Sequence, residues 1–386
     1  MIDEEKIIDA FKENTYGYYG DYFLRTDEYD RAGDIIKLEK LVKIISNSTG
    51  ELFDAKVCRG NGPYIECKNN SILTLLMYYI NSGCTDLITE TFPIHTLNPY
   101  TGLYIKLENE LREKVGPLNM GKIGNNLCWF SESYDLEELA NILNVFVDKI
   151  RNEVNGKEFK NAIYKHKRLV NKNTKSLINY IAYLFFLHPR LLVGRLDCRY
   201  KKDIMGGAML TKDDILEMYV QVKKDRKDFF HNWSRNDLFE GMVGYVWKLE
   251  YTHLTGFHYH MLLFFDGSMD KQDIDRIEML GEFWVNDITD GKGLYFNCNA
   301  KKADYKFLGI GMISHHQLEK IENLQRVASY LTKTDYYANA IVPQNGRSFG
   351  KCEILTKKIE QAEAEKRGRP RKSTLANLSN NKRIAA

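Results

Sequence analysis

The sequence has little that would staple, anchor or energise it. Its 7 cysteines are scattered through 386 residues with no Cys-x-x-Cys pair, which excludes a zinc ribbon or finger and a regular disulfide framework. That usage fits free thiols in a reducing, cytoplasmic setting. No apolar run reaches the length of a membrane span. The longest candidate, Leu177 to Leu187, is too short and contains Asn179. Asp3, Glu4 and Glu5 follow the start directly, where a signal peptide would carry an apolar core. Net charge is only +3, so the chain is no polycation. No internal repeat is visible. A nucleotide-driven motor is not supported either. The run Gly346 to Cys352 has one residue too few between its glycines for a phosphate loop, and Cys352 stands where Ser or Thr would hold Mg²⁺.

What is present is an ordinary globular composition, 44% hydrophobic and 28% charged, long enough for two domains. The most informative segment is Phe257-His258-Tyr259-His260-Met261-Leu262-Leu263-Phe264-Phe265. It reads as a strand, on which positions i and i+2 face one side. His258 and His260 therefore point together, as two ligands of one metal do, while Phe257, Tyr259, Met261 and Leu263 point into a core. The preceding segment, Met242 to Tyr251, alternates in the same way. Val243, Tyr245, Trp247, Leu249 and Tyr251 form its apolar face, and Gly244, Val246, Lys248 and Glu250 form the other. Thr252 to Gly256 is short enough for a hairpin loop. Closure about Leu254 sets Glu250 opposite His258, with Cβ atoms roughly 4.5–5.5 Å apart. Two imidazoles and a carboxylate then converge, a mixed set suited to Mg²⁺ or Mn²⁺. A register slip of one residue sends Glu250 to the opposite face.

These residues resemble a family. An acidic residue eight positions before the first His, a glycine-containing turn and His-aromatic-His are similar to the metal motif of HUH endonucleases, the rolling-circle initiators, relaxases and related transposases. Val246 to Tyr251, Gly256 to His260, Phe264 to Ser268, Tyr295 to Lys301, Gly309-Ile310-Gly311 and Tyr330 to Lys333 resemble, in that order, the inovirus gene II product-like family, also called the YagK/YfjJ C-terminal domain. The resemblance covers roughly Leu191 to Phe349. It implies a metal-dependent nickase that uses a tyrosine nucleophile to start rolling-circle replication of a phage, prophage or related mobile element. The metal would be Mg²⁺ or Mn²⁺ on His258, His260 and Glu250. Tyr330 would be the nucleophile, with Lys333 one turn away, and Tyr336 and Tyr337 stand as alternatives. A catalytically inactive DNA-binding regulator on the same scaffold remains the other reading.

The order of elements agrees with the resemblance. A strand over Leu191–Tyr200, a helix from Lys212 to Trp233 capped by Thr211, the hairpin, a helix over Lys271–Trp284, a strand about Tyr295 and a further one over Ile310–Ile313 precede the tyrosine helix. On that helix Leu318, Ile321, Leu324, Val327, Ala328 and Leu331 recur at three- and four-residue steps. The same period, extended, brings Tyr337 to the side of Tyr330. We expect an α+β fold, a ferredoxin-like split βαβ antiparallel sheet with helices on one face, preceded by a mainly helical N-terminal region. The divisions are 1–185, a region of unread role; 186–349, the endonuclease-like domain; and 350–386, a charged linker and basic tail. In the tail Arg367-Gly368-Arg369-Pro370 is similar to an AT-hook core, and with Arg371 and Lys372 it suits the minor groove of A·T-rich DNA or phosphates at large. The expected partners are single-stranded origin DNA and a host helicase or polymerase, with no membrane.

Overall fold

A computed structural model describes residues 16–19, 22–25, 27–58, 62–115, 119–123, 126–130, 135–201, 210–231, 233–252, 255–269, 272–305, 307–340 and 347–353. They form two compact units. One is built on Phe11–Leu169 with Tyr336–Asn339, and the other on Val170–Asp335.

The N-terminal unit is less purely helical than its sequence suggests. After a small hairpin, β1 (Tyr16–Tyr19) and β2 (Tyr22–Arg25), comes α1 (Asp27–Asn47), then β3 (Phe53–Cys58) and β4 (Gly62–Cys67). Next are α2 (Asn70–Ser82), α3 (Cys84–Thr91), β5 (His95–Leu97), α4 (Pro99–Arg112), β6 (Asn119–Ile123), β7 (Asn126–Phe130) and α5 (Leu136–Asn155). A four-stranded antiparallel sheet, in the order β3-β4-β7-β6, stands beside the helices. The helices form where apolar residues recur at helical steps. Ile35, Leu38, Val42 and Ile45 of α1 and Leu139, Leu143, Phe146 and Ile150 of α5 are all buried. Asn144 ties α5 to the sheet: its Oδ1 accepts from the Leu52 and Phe53 amides at 3.0 Å each, and its Nδ2 donates to the Phe53 carbonyl at 2.9 Å.

A 31-residue helix, α6 (Lys157–Leu187), leads out of this unit. The boundary falls inside it, between Leu169 and Val170, and not at residue 185. Its last turns bury Leu177, Tyr180, Ile181, Leu184 and Phe185 in the core of the second unit.

The second unit runs β8 (Arg190–Tyr200), α7 (Lys212–Phe229), β9 (Met242–Thr252), β10 (Gly256–Asp266), α8 (Asp273–Phe283), β11 (Gly293–Asn297), β12 (Gly311–Ser314) and α9 (Leu318–Lys333). The chain then passes through β13 (Ala338–Ala340), which pairs with β5 and lies mostly in the N-terminal unit, before β14 (Phe349–Lys351) joins the second sheet. The sheet order is β11-β8-β10-β9-β14, with β12 also on β8, and all these pairs are antiparallel. Thr211 caps α7 in a full capping box with Asp214. On one sheet face Phe257 meets Tyr219 of α7, the Tyr259 hydroxyl donates to the Val222 carbonyl, and Trp284 is buried against Tyr200, Phe229 and Tyr259. Helix α8 closes on the same face, with Ile277 over Gly194 and Tyr295 filling the space above Gly281.

Helices are not confined to that face. On the other, α6 and α9 bury Tyr180, Leu184, Ile321, Leu324 and Ala328 over Val193, Val246, Leu262 and Phe264. The one-face expectation is corrected because the apolar stripe of α9 and the end of α6 both need cover, and the inner half of this face is apolar too. Leu318, counted in that stripe, is half exposed. The Gly309-Ile310-Gly311 motif serves this packing. A Cβ on Gly309 would lie 2.5 Å from the Leu324 backbone nitrogen, Ile310 is buried, and Gly311 sits at φ 87°. Among the described residues no helix is long and apolar enough to cross a membrane. Cys67, Cys84, Cys198, Cys298 and Cys352 are free thiols.

Candidate functional site

The outer half of the second sheet face, toward the β9–β10 turn, is polar. The strand register sets His258 opposite Glu250 and His260 opposite Lys248 on one side, and opposite Arg199 and Asp197 on the other. This is the hairpin register anticipated from the sequence. Gly256 makes the turn possible at φ 67°.

Glu250 Oε2 lies 3.8 Å from His258 Nε2 and 3.5 Å from His260 Nε2. One ligand atom from each of the three residues falls within 4.8 Å of the others. Each imidazole is already held by its other nitrogen. His258 Nδ1 is 3.1 Å from the Gly256 carbonyl, and Thr255 Oγ1 is 3.4 Å away. His260 Nδ1 lies 2.9 Å from Asp197 Oδ1, an electrostatic contact without the alignment of a hydrogen bond. Asp197 in turn takes Nε and Nη2 of Arg195 at 3.2 Å each. Both Nε2 atoms are left facing one carboxylate oxygen. Donors bound at roughly 2.0–2.2 Å to a common ion stand about 3–3.5 Å apart, so the spacing fits one cation after small adjustment.

The electrostatics match. Burial opposes the charged carboxylate of Glu250, but contact with His258 and His260 outweighs it and holds the carboxyl well below its usual range. Burial opposes the charged imidazole of His260. Asp197 and Glu250 overcome it and raise His260 to about 9. Asp197 is held low by Arg195 and His260 against its own burial. The side chains of Glu250, His258 and His260 remain 13–14% exposed, so the cluster opens to solvent.

Two supporting groups were not singled out in the sequence. Asp197 and Arg195 lie within the predicted strand, and their signal was the alternation Arg195, Asp197, Arg199 along an otherwise apolar run. The other is Lys248, which is buried and paired with buried Asp335, just past the end of α9. This pair fastens the end of α9 to the sheet beside His260. Asn299 adds a backbone-like bridge. Its Oδ1 accepts from the Arg195 amide at 2.8 Å, and its Nδ2 donates to the Val193 carbonyl at 3.0 Å, filling the gap along β8 between β11 and β12.

Tyr330 and Lys333 lie in the last turns of α9, and their side chains fall outside the described residues. The helix stops at Lys333 and a 3-10 turn over Thr334–Tyr336 follows, so extending the helical period to Tyr337 was wrong. Asp335 turns inward to Lys248 there and ends the regular helix. Tyr336 and Tyr337 are buried in the N-terminal unit, and the Tyr336 hydroxyl donates to Glu39 at 2.8 Å. Arg367, Arg369, Arg371 and Lys372 lie outside the described residues.

Fold and site together define an α+β protein with a His-His-Glu cluster on an antiparallel sheet. The model of the YagK/YfjJ C-terminal domain family matches residues 153–352, just over half of the chain. The chain belongs to that family. No curated protein and no solved structure matches it.

Proposed function

We propose that the chain is a metal-dependent nickase of single-stranded DNA, of the HUH type, that starts rolling-circle replication of a phage, prophage or related element in its bacterial host's cytoplasm. The observation that carries this reading is the pair of imidazoles whose Nδ1 atoms are engaged and whose Nε2 atoms face Glu250. The core order β-α-β-β-α-β with sheet order β11-β8-β10-β9 supports a ferredoxin-like split βαβ domain. Glu250, His258 and His260 would hold Mg²⁺ or Mn²⁺, which when bound supplies Lewis acidity at a phosphate oxygen.

The remaining chemistry falls to the chain. The Tyr330 hydroxyl attacks phosphorus, its proton is lost, and the bond to the 3′ oxygen breaks with that oxygen gaining a proton. The products are a 5′-phosphotyrosyl link and a free 3′-OH primer. A phenol has a free pKa near 10, so the ammonium of Lys333 assists by offsetting the developing negative charge. Tyr336 is less suited, since its hydroxyl is committed to Glu39. The tail arginines Arg367, Arg369 and Arg371, with Lys372, add salt-sensitive affinity, and a host helicase and polymerase extend the primer.

The test is incubation of the full chain with Mn²⁺ and a single-stranded origin oligonucleotide, scored by a covalent adduct on a denaturing gel. Tyr330→Phe, and His258→Ala with His260→Ala, are expected to lose the adduct. An adduct kept by Tyr330→Phe and lost by Tyr337→Phe moves the nucleophile. No cleavage on any strand, with duplex binding that survives loss of both histidines, replaces the nickase with a DNA-binding regulator.

A further inference from the structure

The first half of α6 carries a charge pattern that the His-His-Glu cluster does not use. Between Lys157 and Leu169 it holds Lys157, Lys160, Lys165, Lys167 and Arg168 against one carboxylate, Glu158. The inner side of this stretch is fixed within the N-terminal unit. Phe159 packs edge-on against Tyr100 with ring centres 5.2 Å apart, and His166 Nε2 lies 2.6 Å from the Tyr336 carbonyl. At about 3.6 residues per turn, Lys157, Lys160, Tyr164, Lys165 and Arg168 then fall on the outer side. All five are exposed, Tyr164 at 64%. None of the cations on this stretch forms an ion pair with a described residue.

Folding alone does not select this surface. Cations in the first turns oppose the helix dipole, and like charges three apart, Lys157 with Lys160 and Lys165 with Arg168, repel one another. A local choice that works against the helix points to a surface kept for a ligand, and a row of exposed, unpaired cations is complementary to a polyanion. The stripe lies along one helix and runs roughly 16 Å at 1.5 Å per residue. Duplex DNA offers one negative charge per roughly 1.7 Å of axis, a matching linear array. An unpaired strand would call for a series of stacking rings, whereas Tyr164 stands alone on this face and suits a hydroxyl contact to phosphate.

We infer that this face of α6 docks the phosphate backbone of duplex DNA without regard to sequence. The inference rests on the proposed function only in taking DNA as the polyanion. Its residues are distinct from the metal cluster, so each can fail alone.

The experiment measures binding of the full chain to a short labelled duplex of mixed sequence over a salt series. The triple variant Lys160→Gln, Lys165→Gln, Arg168→Gln is expected to lower the slope of log affinity against log salt by roughly 2–3, since each phosphate contact contributes about 0.9. The charge-preserving change of Lys160 and Lys165 to Arg is expected to keep the slope. Thermal unfolding of the triple variant is expected to stay level or rise, because the lost charges oppose the helix, so weaker binding will not reflect misfolding. An unchanged slope overturns the inference. So does a loss confined to phosphatidylserine vesicles with duplex binding intact, which would make the face a membrane surface. Retained slope in His258→Ala with His260→Ala separates this surface from the cluster. A chain that forms no adduct yet loses slope in the triple variant keeps this inference and sinks the nickase.

Discussion

Asp197 never reaches the space between the two Nε2 atoms, yet it governs one of them. Through Nδ1 it sets the orientation and raises the basicity of His260, as a carboxylate behind a ligating imidazole does. Asp197→Asn is expected to weaken Mn²⁺ binding by about 10–100-fold, measured by calorimetry on the full chain. Unchanged affinity would mean that His260 needs no such support. The proton on His260 supplies a second prediction. Its value in the fold, about 9, lies above that of an ordinary imidazole. In the metal-free chain the stabilisation from protonated His260 is therefore complete below the unfolded value of about 6.5 and is lost as pH rises through about 9. A cation at Nε2 competes with that proton, so Mn²⁺ affinity is expected to rise roughly tenfold per pH unit across neutral pH. A flat titration from pH 6 to 8 would show that His260 is not a ligand. The cluster Glu250, His258 and His260 was legible in the sequence because all three lie on one hairpin whose alternation sets their faces. Asp197 was visible only as a polar residue on a strand, since what it touches depends on how β8 pairs with β10.

At the scale of elements, α9 is held at its end by one buried ion pair. Lys248 and Asp335 are 1% and 4% exposed, and 87 residues of chain separate them. Removing one partner leaves the other charged and buried, which typically costs about 3–5 kcal/mol, whereas replacing both with apolar residues is often close to neutral. Lys248→Met is expected to destabilise the chain by that order in denaturant unfolding, and Lys248→Met with Asp335→Leu to recover most of it. Equal losses in the single and double variants would assign the cost to packing instead. The sequence made α9 itself legible through Ile321, Leu324, Ala328 and Leu331, all buried as the period requires. It did not show where the helix ends. That stop is a long-range event, the capture of Asp335 by Lys248, and nothing within a few residues announces it. The small sheet of the N-terminal unit was missed for another reason. Phe53, Ala55 and Val57 do alternate with Asp54 and Lys56, but so short a run carries weak pattern.

At the scale of the molecule, the chain passes between units at residues 169–170, 335–336 and 339–340. The family match begins at residue 153, earlier than the sequence boundary at 185, and the cover of the sheet explains why. A fragment beginning at residue 186 lacks Leu177, Tyr180, Ile181, Leu184 and Phe185, all buried against the sheet. At about 1.5–3 kcal/mol per large apolar side chain, their loss is comparable with the whole stability of a domain, about 5–15 kcal/mol. A fragment starting at residue 153 is expected to keep near-ultraviolet dichroism and the one starting at 186 to lose it. A cooperative unfolding transition in the shorter fragment would refute this. Composition and motif order sufficed for the α+β class. They could not reveal that one helix serves two units, because the period of a helix does not say which core each of its halves enters.

The β9–β10 hairpin separates the His-His-Glu cluster from its support in the order of folding. Glu250, His258 and His260 lie within eleven residues, so their meeting requires only a short loop to close, an event of about 1–10 μs for a hairpin. Asp197 and Asp335 arrive only when strands and helices distant in sequence dock, and such non-local contacts form late. A chain still folding thus gathers the three cluster side chains before it can orient them. A cation captured at that moment would hold the hairpin in register while the rest of the sheet assembles around it.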